Sequence, residues 1–420
     1  MAERPPPLVV FLVDAFRHDF ISADGTPNLA ELAAAGVRRP LKPILGYSDA
    51  IRATFFTGRY PDETGYWMEY CYRPSSSPWQ GLSRWAPVDR VPSDLALRGL
   101  KLALSATAMP HLARRSGLPH LSLRTIPFKA IDKFDFTLHE PMTAPEALGC
   151  PSIFDICTAS GRPWAYLDSS RVRRASDLLV QLDAVPADVG LIFVYLHQID
   201  MAAHLFGITS QLFWRRVRST DRLLGLISGR IKHRFGDVPT IVFSDHGMSA
   251  LSRQIAIPEL TSHRAFPERF FVALDATMVR LWYLDEDERL REELRERVAT
   301  RYPGHFLSAA EVASHHLNFG SRLYGDEIFL LPPGIAVFPN FHSFIKPKAM
   351  HAYDPAYQDQ WGIVIGPAGA ALRMSEPADI TEVTAVVLDA LGTAGRRGAP
   401  ARCSSPAQAD AGAVSDRQTG

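Results

Sequence analysis

Short runs that are apolar at every position alternate along the chain with longer stretches whose apolar residues recur at helical spacing. Leu8–Val13 (LVVFLV), Leu191–Leu196 (LIFVYL) and residues 240–244 (TIVFS) belong to the first kind. A strand apolar on both faces suits the middle of a sheet covered on both sides. Each run hands over to polar residues: Asp14 after the first, a segment holding Asp200 and His204 after the second, and Asp245-His246-Gly247 after the third. Open α/β sheets bind ligands outside the carboxyl ends of their strands. The pattern therefore predicts an α/β fold, a doubly wound sheet with helices on both faces, with these polar residues gathered on one edge. Thr26-Pro27 opens a helix, with Thr at the cap, Pro at the first helical position and Gly36 as the stop. After Leu196, a polar loop and then a long helix to about Lys232 are expected.

The texture changes elsewhere. Residues 1–265 read as the first part of an α/β core, with a lid insertion at about 70–185 that begins in a Trp-, Pro- and Ser-rich stretch from Tyr70 to Pro92. Residues 266–340 read as an inserted α+β cap subdomain, with strands at 270–274, 279–283 and 327–331 and a charged helix around 287–301. Residues 341–394 complete the core. Residues 395–420 are rich in Gly, Ala, Ser, Pro and Gln without an apolar pattern, and read as a disordered tail.

Charge narrows the partners. The 420 residues carry 45 Lys plus Arg and 45 Asp plus Glu, so no bulk electrostatic grip on a nucleic-acid polymer or an anionic membrane is expected. The run at Leu8–Val13 is far shorter than the roughly 20 residues a membrane helix needs. Cys71, Cys150, Cys157 and Cys403 are too few and scattered for a disulfide framework. A cytoplasmic, soluble protein acting on a small molecule is the expectation.

The candidate chemistry lies in Asp14, Asp200, His204, Asp245, His246 and His351. Three Asp and three His give the mixed oxygen and nitrogen ligands that zinc takes where thiolates are absent. Six are more than one tetrahedral zinc uses, and they suit two metals around a shared phosphate. Singly each has a plain structural role: an Asp after a strand commonly caps a turn, and Asp-x-x-x-His is a frequent spacing. The ordered combination discriminates.

That combination resembles the alkaline phosphatase superfamily, and most closely its nucleotide pyrophosphatase/phosphodiesterase (type I phosphodiesterase) branch. The resemblance rests on Val13-Asp14, Thr26-Pro27-Asn28-Leu29, Ser48 ahead of Thr57-Gly58-x-Tyr60-Pro61, Asp200-x3-His204, Asp245-His246-Gly247 and His351. It implies two divalent ions, most readily zinc. One would be held by Asp200, His204 and His351, and the other by Asp14, Asp245 and His246, with Ser48 bridging toward it as the nucleophile that becomes a phosphoserine. The implied reaction is hydrolysis of a phosphodiester or pyrophosphate bond in a nucleotide-like or other small cytosolic metabolite. A phosphomonoesterase of the same superfamily acting on a phosphorylated biosynthetic intermediate, and a sulfatase, stand as alternatives. Ser48-Asp49-Ala50-Ile51-Arg52 is similar to the segment some sulfatases modify, but Asp14 is followed by Ala15 rather than a second Asp.

Two positions depart from the branch. The nucleophile is Ser48 where the branch usually has Thr. Twenty-one residues on, Glu69 stands where it usually places an Asn that donates to the phosphate. A carboxylate cannot donate, so Arg52 is expected to bind the phosphate in its place, with Glu69 paired to Arg52 or binding a sugar hydroxyl. Trp67, Tyr70, Tyr72, Trp79 and Trp85 are available to stack a base or to pack the lid.

Overall fold

A computed structural model describes residues 5–91, 94–111, 123–174, 176–367, 369 and 373–393; the expected tail at 395–420 lies outside them. The central sheet has seven strands: β1 (Leu8–Val13), β2 (Val37–Lys42), β3 (Trp164–Asp168), β4 (Leu191–Leu196), β5 (Thr240–Phe243), β6 (Gly362–Gly366) and β7 (Ala378–Asp379). Their order is β7-β2-β6-β5-β1-β4-β3. β1 pairs in parallel with β4 and β5, and β3 in parallel with β4, whereas β6 runs antiparallel to β2 and β5. Because β1, β4 and β5 are parallel neighbours, their carboxyl ends share one edge.

The all-apolar strands follow from a sheet with a core on each face. Leu8, Val10 and Leu12 of β1 enter one core, with Phe55 and Phe56 of helix α2 (Ser48–Thr57). Val9, Phe11 and Val13 enter the other, with Leu29 of α1 (Pro27–Ala35) and the apolar face of a long helix at Gln211–Phe235. α3 (Gln198–Phe206) precedes that long helix, α4. The Asp200–His204 pair therefore sits on a helix and not in the expected polar loop.

The cap of α1 also differs. The Thr26 hydroxyl bonds with Ser22 instead of the helix. Asp221, buried on α4, accepts from the Asn28 and Leu29 amides at 3.2 and 2.9 Å, which satisfies the first turn from outside it. Gly225, one turn beyond Asp221, allows the close approach, since a Cβ there would lie 2.2 Å from Asn28 Oδ1.

Residues 270–330 carry a second, antiparallel sheet in the order Phe270–Leu274, Met278–Tyr283, Glu327–Leu330, His305–Phe306, with a helix at Glu288–Arg301. Its core takes in Tyr70, Trp79 and Phe134 from the preceding segment. The expected lid at 70–185 is thus divided: Tyr70–Tyr72 pairs with Phe134–Phe136 against the second sheet, while Trp164–Asp168 is an edge strand of the central one. Trp67, Tyr70 and Trp79 are fully buried and serve packing; Trp85 is exposed. Cys71 and Cys157 are buried free thiols, and Cys150 is disulfide-bonded, which the cysteine spacing did not suggest. Among the described residues no helix is long and apolar enough to cross a membrane.

Candidate metal centre and active site

The carboxyl edge of β1, β4 and β5 gathers the six expected ligands into two groups. Asp14, Asp245 and His246 form one and Asp200, His204 and His351 the other, with ligand atoms in each group within 4.8 Å of one another. Asp14 follows β1, Asp245 and His246 follow β5, and α3 starts directly after β4. Four residues apart on α3, Asp200 and His204 share a face, with His204 Nε2 3.1 Å from Asp200 Oδ1. His351 arrives from far along the chain. The short strand Ala349–Met350 pairs antiparallel with Ser249–Ala250, just past His246, and lays the His351 ring on that of His246 at 3.7 Å.

The chain holds these groups firmly. Ala15 and Ala352, directly after Asp14 and His351, have φ of 58° and 68°. Non-glycine residues there are strained by about 1–3 kcal/mol, a cost that concentrates at functional sites. Gly247 could not be another residue without movement, because a Cβ would lie 2.3 Å from the Asp359 carbonyl oxygen. His246 Nδ1 bonds to the Gly247 carbonyl at 2.8 Å and His204 Nδ1 to that of Ala349 at 2.9 Å. Both imidazoles thereby present Nε2 to the site, the orientation that outer partners impose on metal-binding histidines.

The carboxylates are electrostatically incomplete. Asp14 Oδ1 and Asp245 Oδ2 are buried and accept no hydrogen bond, whereas Asp200 Oδ1 faces His204 Nε2 at 3.1 Å. Burial and the neighbouring Asp245 hold the Asp14 carboxyl well above its usual range; burial and Asp200 push Asp245 up to about 7 despite Arg52. Burial works against charge on Asp200 and His204 too, but their mutual attraction outweighs it, lowering Asp200 and raising His204 to about 9. Burial and His246 drive His351 well below its usual value, leaving a neutral imidazole. Unpaired oxygens on Asp14 and Asp245, the neutral His351 imidazole and strong burial make a donor set that fits divalent cations.

Ser48 opens α2, where first-turn amides favour an anion. Its Oγ lies 2.9 Å from His246 Nε2, beside the Asp14 group. Arg52, one turn on, does not meet Glu69: it is paired with Asp49 and lies over the Tyr195 ring, 4.8 Å from its centre. Glu69 instead accepts from Arg124 on both oxygens at 3.2 Å. The expected Arg52–Glu69 pair is thus replaced by two separate ion pairs, Arg52 with Asp49 and Glu69 with Arg124. Tyr195, the hydroxyl that donates to Asp14, was missed in the sequence. Its signal was a tyrosine inside an otherwise apolar strand, whose hydroxyl requires a partner once buried.

The fold is shared with solved structures. An inactive murine ectonucleotide pyrophosphatase/phosphodiesterase 5 in complex with AMP aligns over 93% of this chain and 95% of its own, at 16% identity and a TM-score of 0.63. The human ectonucleotide pyrophosphatase/phosphodiesterase 5 aligns over 92% and 95%, at 14% identity and a TM-score of 0.65. The architecture is thus alkaline phosphatase-like. No curated protein matches the sequence. A sequence model of the family "type I phosphodiesterase / nucleotide pyrophosphatase" matches residues 8–318, well over half the chain and five of the six clustered Asp and His residues. The chain therefore belongs to the type I phosphodiesterase/nucleotide pyrophosphatase family, whose members are metal-dependent phosphoric ester hydrolases.

Proposed function

We propose that the protein hydrolyses a phosphodiester or pyrophosphate bond of a small phosphorylated metabolite through a phosphoserine at Ser48. Two divalent ions, zinc by ligand chemistry, would be held by Asp14, Asp245 and His246 and by Asp200, His204 and His351. The observation that carries this reading is Ser48 Oγ, 2.9 Å from His246 Nε2, beside two clustered ligand groups in one of which Asp14 Oδ1 and Asp245 Oδ2 lack hydrogen bonds. Bound there, the metals would neutralise the phosphate and lower the pKa of the attacking hydroxyl.

The chain's own contribution is placement. Ser48 Oγ gives up its proton and forms the new bond to phosphorus as the ester or anhydride bond breaks, and the alcohol or phosphate that leaves takes up a proton. Water then adds its oxygen to phosphorus, the Ser48–phosphorus bond breaks and the serine oxygen regains a proton. Tyr195 fixes the Asp14 carboxylate, and the Nδ1 bonds of His204 and His246 fix their rings. A diester is favoured over a monoester because Arg52 is neutralised by Asp49 and Glu69 by Arg124. No extra guanidinium rewards a second negative charge on the substrate.

Metal analysis combined with hydrolysis of bis(4-nitrophenyl) phosphate and 4-nitrophenyl phosphate tests the proposal. Close to two metal ions per chain, faster turnover of the diester and loss of turnover in Ser48→Ala are expected. Full activity without metal, or in Ser48→Ala, would overturn it. Arg52→Ala is expected to cost both esters alike; a selective loss on the monoester would reassign the enzyme as a phosphomonoesterase.

A further inference from the structure

A cavity of about 210 Å³ opens along the nucleophile's helix, with Asp49 and Arg52 of α2 on its wall. Two larger cavities, of about 610 and 690 Å³, contain none of the metal-centre residues, Ser48, Arg52 or Glu69. The smaller one has no metal-centre residue on its wall, but it borders the nucleophile through Asp49, the residue next to Ser48, and Arg52, one turn on. It is therefore placed to receive a group attached to a phosphate at Ser48.

The lining decides what that group is. Asp49, Glu69, Glu140 and Asp168 face it against Arg52 and Arg171, a balance that repels a second phosphate. The acids do not form a cation trap, because Asp49 pairs with Arg52, Glu69 with Arg124, and Asp168 with Arg171 at 3.2 Å, while Glu140 is exposed. Nor do the rings form a slot for a base: Tyr66 is buried, and Tyr166 already stacks on Phe193 with centroids 5.4 Å apart. The space is also smaller than the roughly 300–1,000 Å³ of pockets for drug-sized ligands. What remains is a small wall of donors and acceptors held in ion pairs, beside the aromatic and aliphatic carbon of Phe136, Leu138, Pro141 and Met142. Hydroxyl groups, each both donor and acceptor, match it.

We infer that this cavity binds the alcohol esterified to the phosphate and that the alcohol is a polyhydroxylated group, a sugar or polyol. The inference rests on the phosphodiesterase reading above. Four 4-nitrophenyl phosphate diesters, of methanol, glucose (through O6), choline and thymidine (through O5′), release the same chromophore and differ only in the group the cavity would hold. With the metal-loaded enzyme, kcat/KM for the glucose ester is expected to exceed that for the methyl ester at least tenfold. Asp168→Asn and Glu140→Gln are each expected to shrink that ratio, mainly through KM. A best rate on the thymidine or choline ester, or a ratio that neither variant moves, would overturn the inference. Calorimetric binding of the same esters to metal-loaded Ser48→Ala separates the two readings. If no ester is turned over by the wild type, the phosphodiesterase reading fails. The cavity is still judged by whether the glucose ester binds tighter than the methyl ester; equal affinity would refute it.

Discussion

Asp14 and Asp245 at the edge of the central sheet and Asp275 in a hairpin turn of the second sheet are similarly buried, yet their carboxyls move in opposite directions. Both oxygens of Asp275 are used: Arg280 Nε donates to one at 2.7 Å, and His342 Nε2 and Arg280 Nη2 reach the other at 2.7 and 3.2 Å. Burial opposes its charge, but Arg280 and His342 outweigh it and hold the carboxyl down at about 2. Asp14 and Asp245 face each other and Asp200; burial raises both, and one oxygen of each is left without a hydrogen bond. A buried carboxylate that carries its own guanidinium is structural. One whose neighbours are carboxylates and imidazoles is complete only when a cation arrives from outside the chain.

The largest effect is expected when a charge is removed from the metal centre. Asp245→Asn is expected to reduce phosphodiester turnover at least about a thousandfold, roughly 4 kcal/mol of barrier, and to lower the metal content. The chelated variant is expected to melt no lower than the chelated wild type, because a repulsive buried charge has gone. A markedly lower melting temperature would make Asp245 a structural residue like Asp275. At the second site the pattern inverts. Asp275→Asn leaves Arg280 buried without its counterion and is expected to destabilise the fold by roughly 3–5 kcal/mol in denaturant unfolding, with metal content per folded molecule retained. Unchanged stability would break the contrast.

Ligand linkage gives a smaller effect. At a free metal concentration about a hundred times Kd, binding adds roughly 2.7 kcal/mol of stability. This increment is expected in the wild type and in Asp275→Asn and is expected to be largely lost in Asp14→Asn. An equal metal-induced rise in melting temperature for all three proteins would place the metal elsewhere.

Much of this site was legible because its residues stand where strands stop. An all-apolar run marks a central strand, and the first polar residue after it marks the edge, so Asp14, Asp245 and His246 could be placed without knowing the rest of the fold. Asp200 and His204 were legible as a pair but not as a helical one, since nine residues of α3 between a strand and a glycine carry too little periodicity. Residues whose role depends on a partner distant in the chain were not legible. Glu69 meets Arg124 across 55 positions, Asp221 caps α1 across more than 190, and Tyr195 finds Asp14 across 181. The aromatic stretch after Tyr70 looked like a substrate lid because its apolar rings had no visible core. The second sheet supplies that core.

The smallest effect separates the two regions by sign. The Asp275 carboxyl sits at about 2 in the folded protein, below the roughly 3.9 of an unfolded Asp. Between those values the unfolded state binds more protons, so stability rises with pH. The contribution is complete above pH of about 4 and is lost as pH falls through about 2, a change of roughly 2–3 kcal/mol for a shift of this size. The stability gap between wild type and Asp275→Asn is therefore expected to narrow on acidification from about pH 5 to pH 2. Asp245 in the metal-free protein has the reverse sign. With its carboxyl pushed up to about 7, the folded state binds more protons than the unfolded one, and its contribution to stability falls as pH rises from about 4 toward 7. Urea unfolding of chelated wild type and chelated Asp245→Asn across that range measures the slope. If the wild type gains stability relative to the variant as pH rises, Asp245 is paired within the chain and needs no metal to complete it.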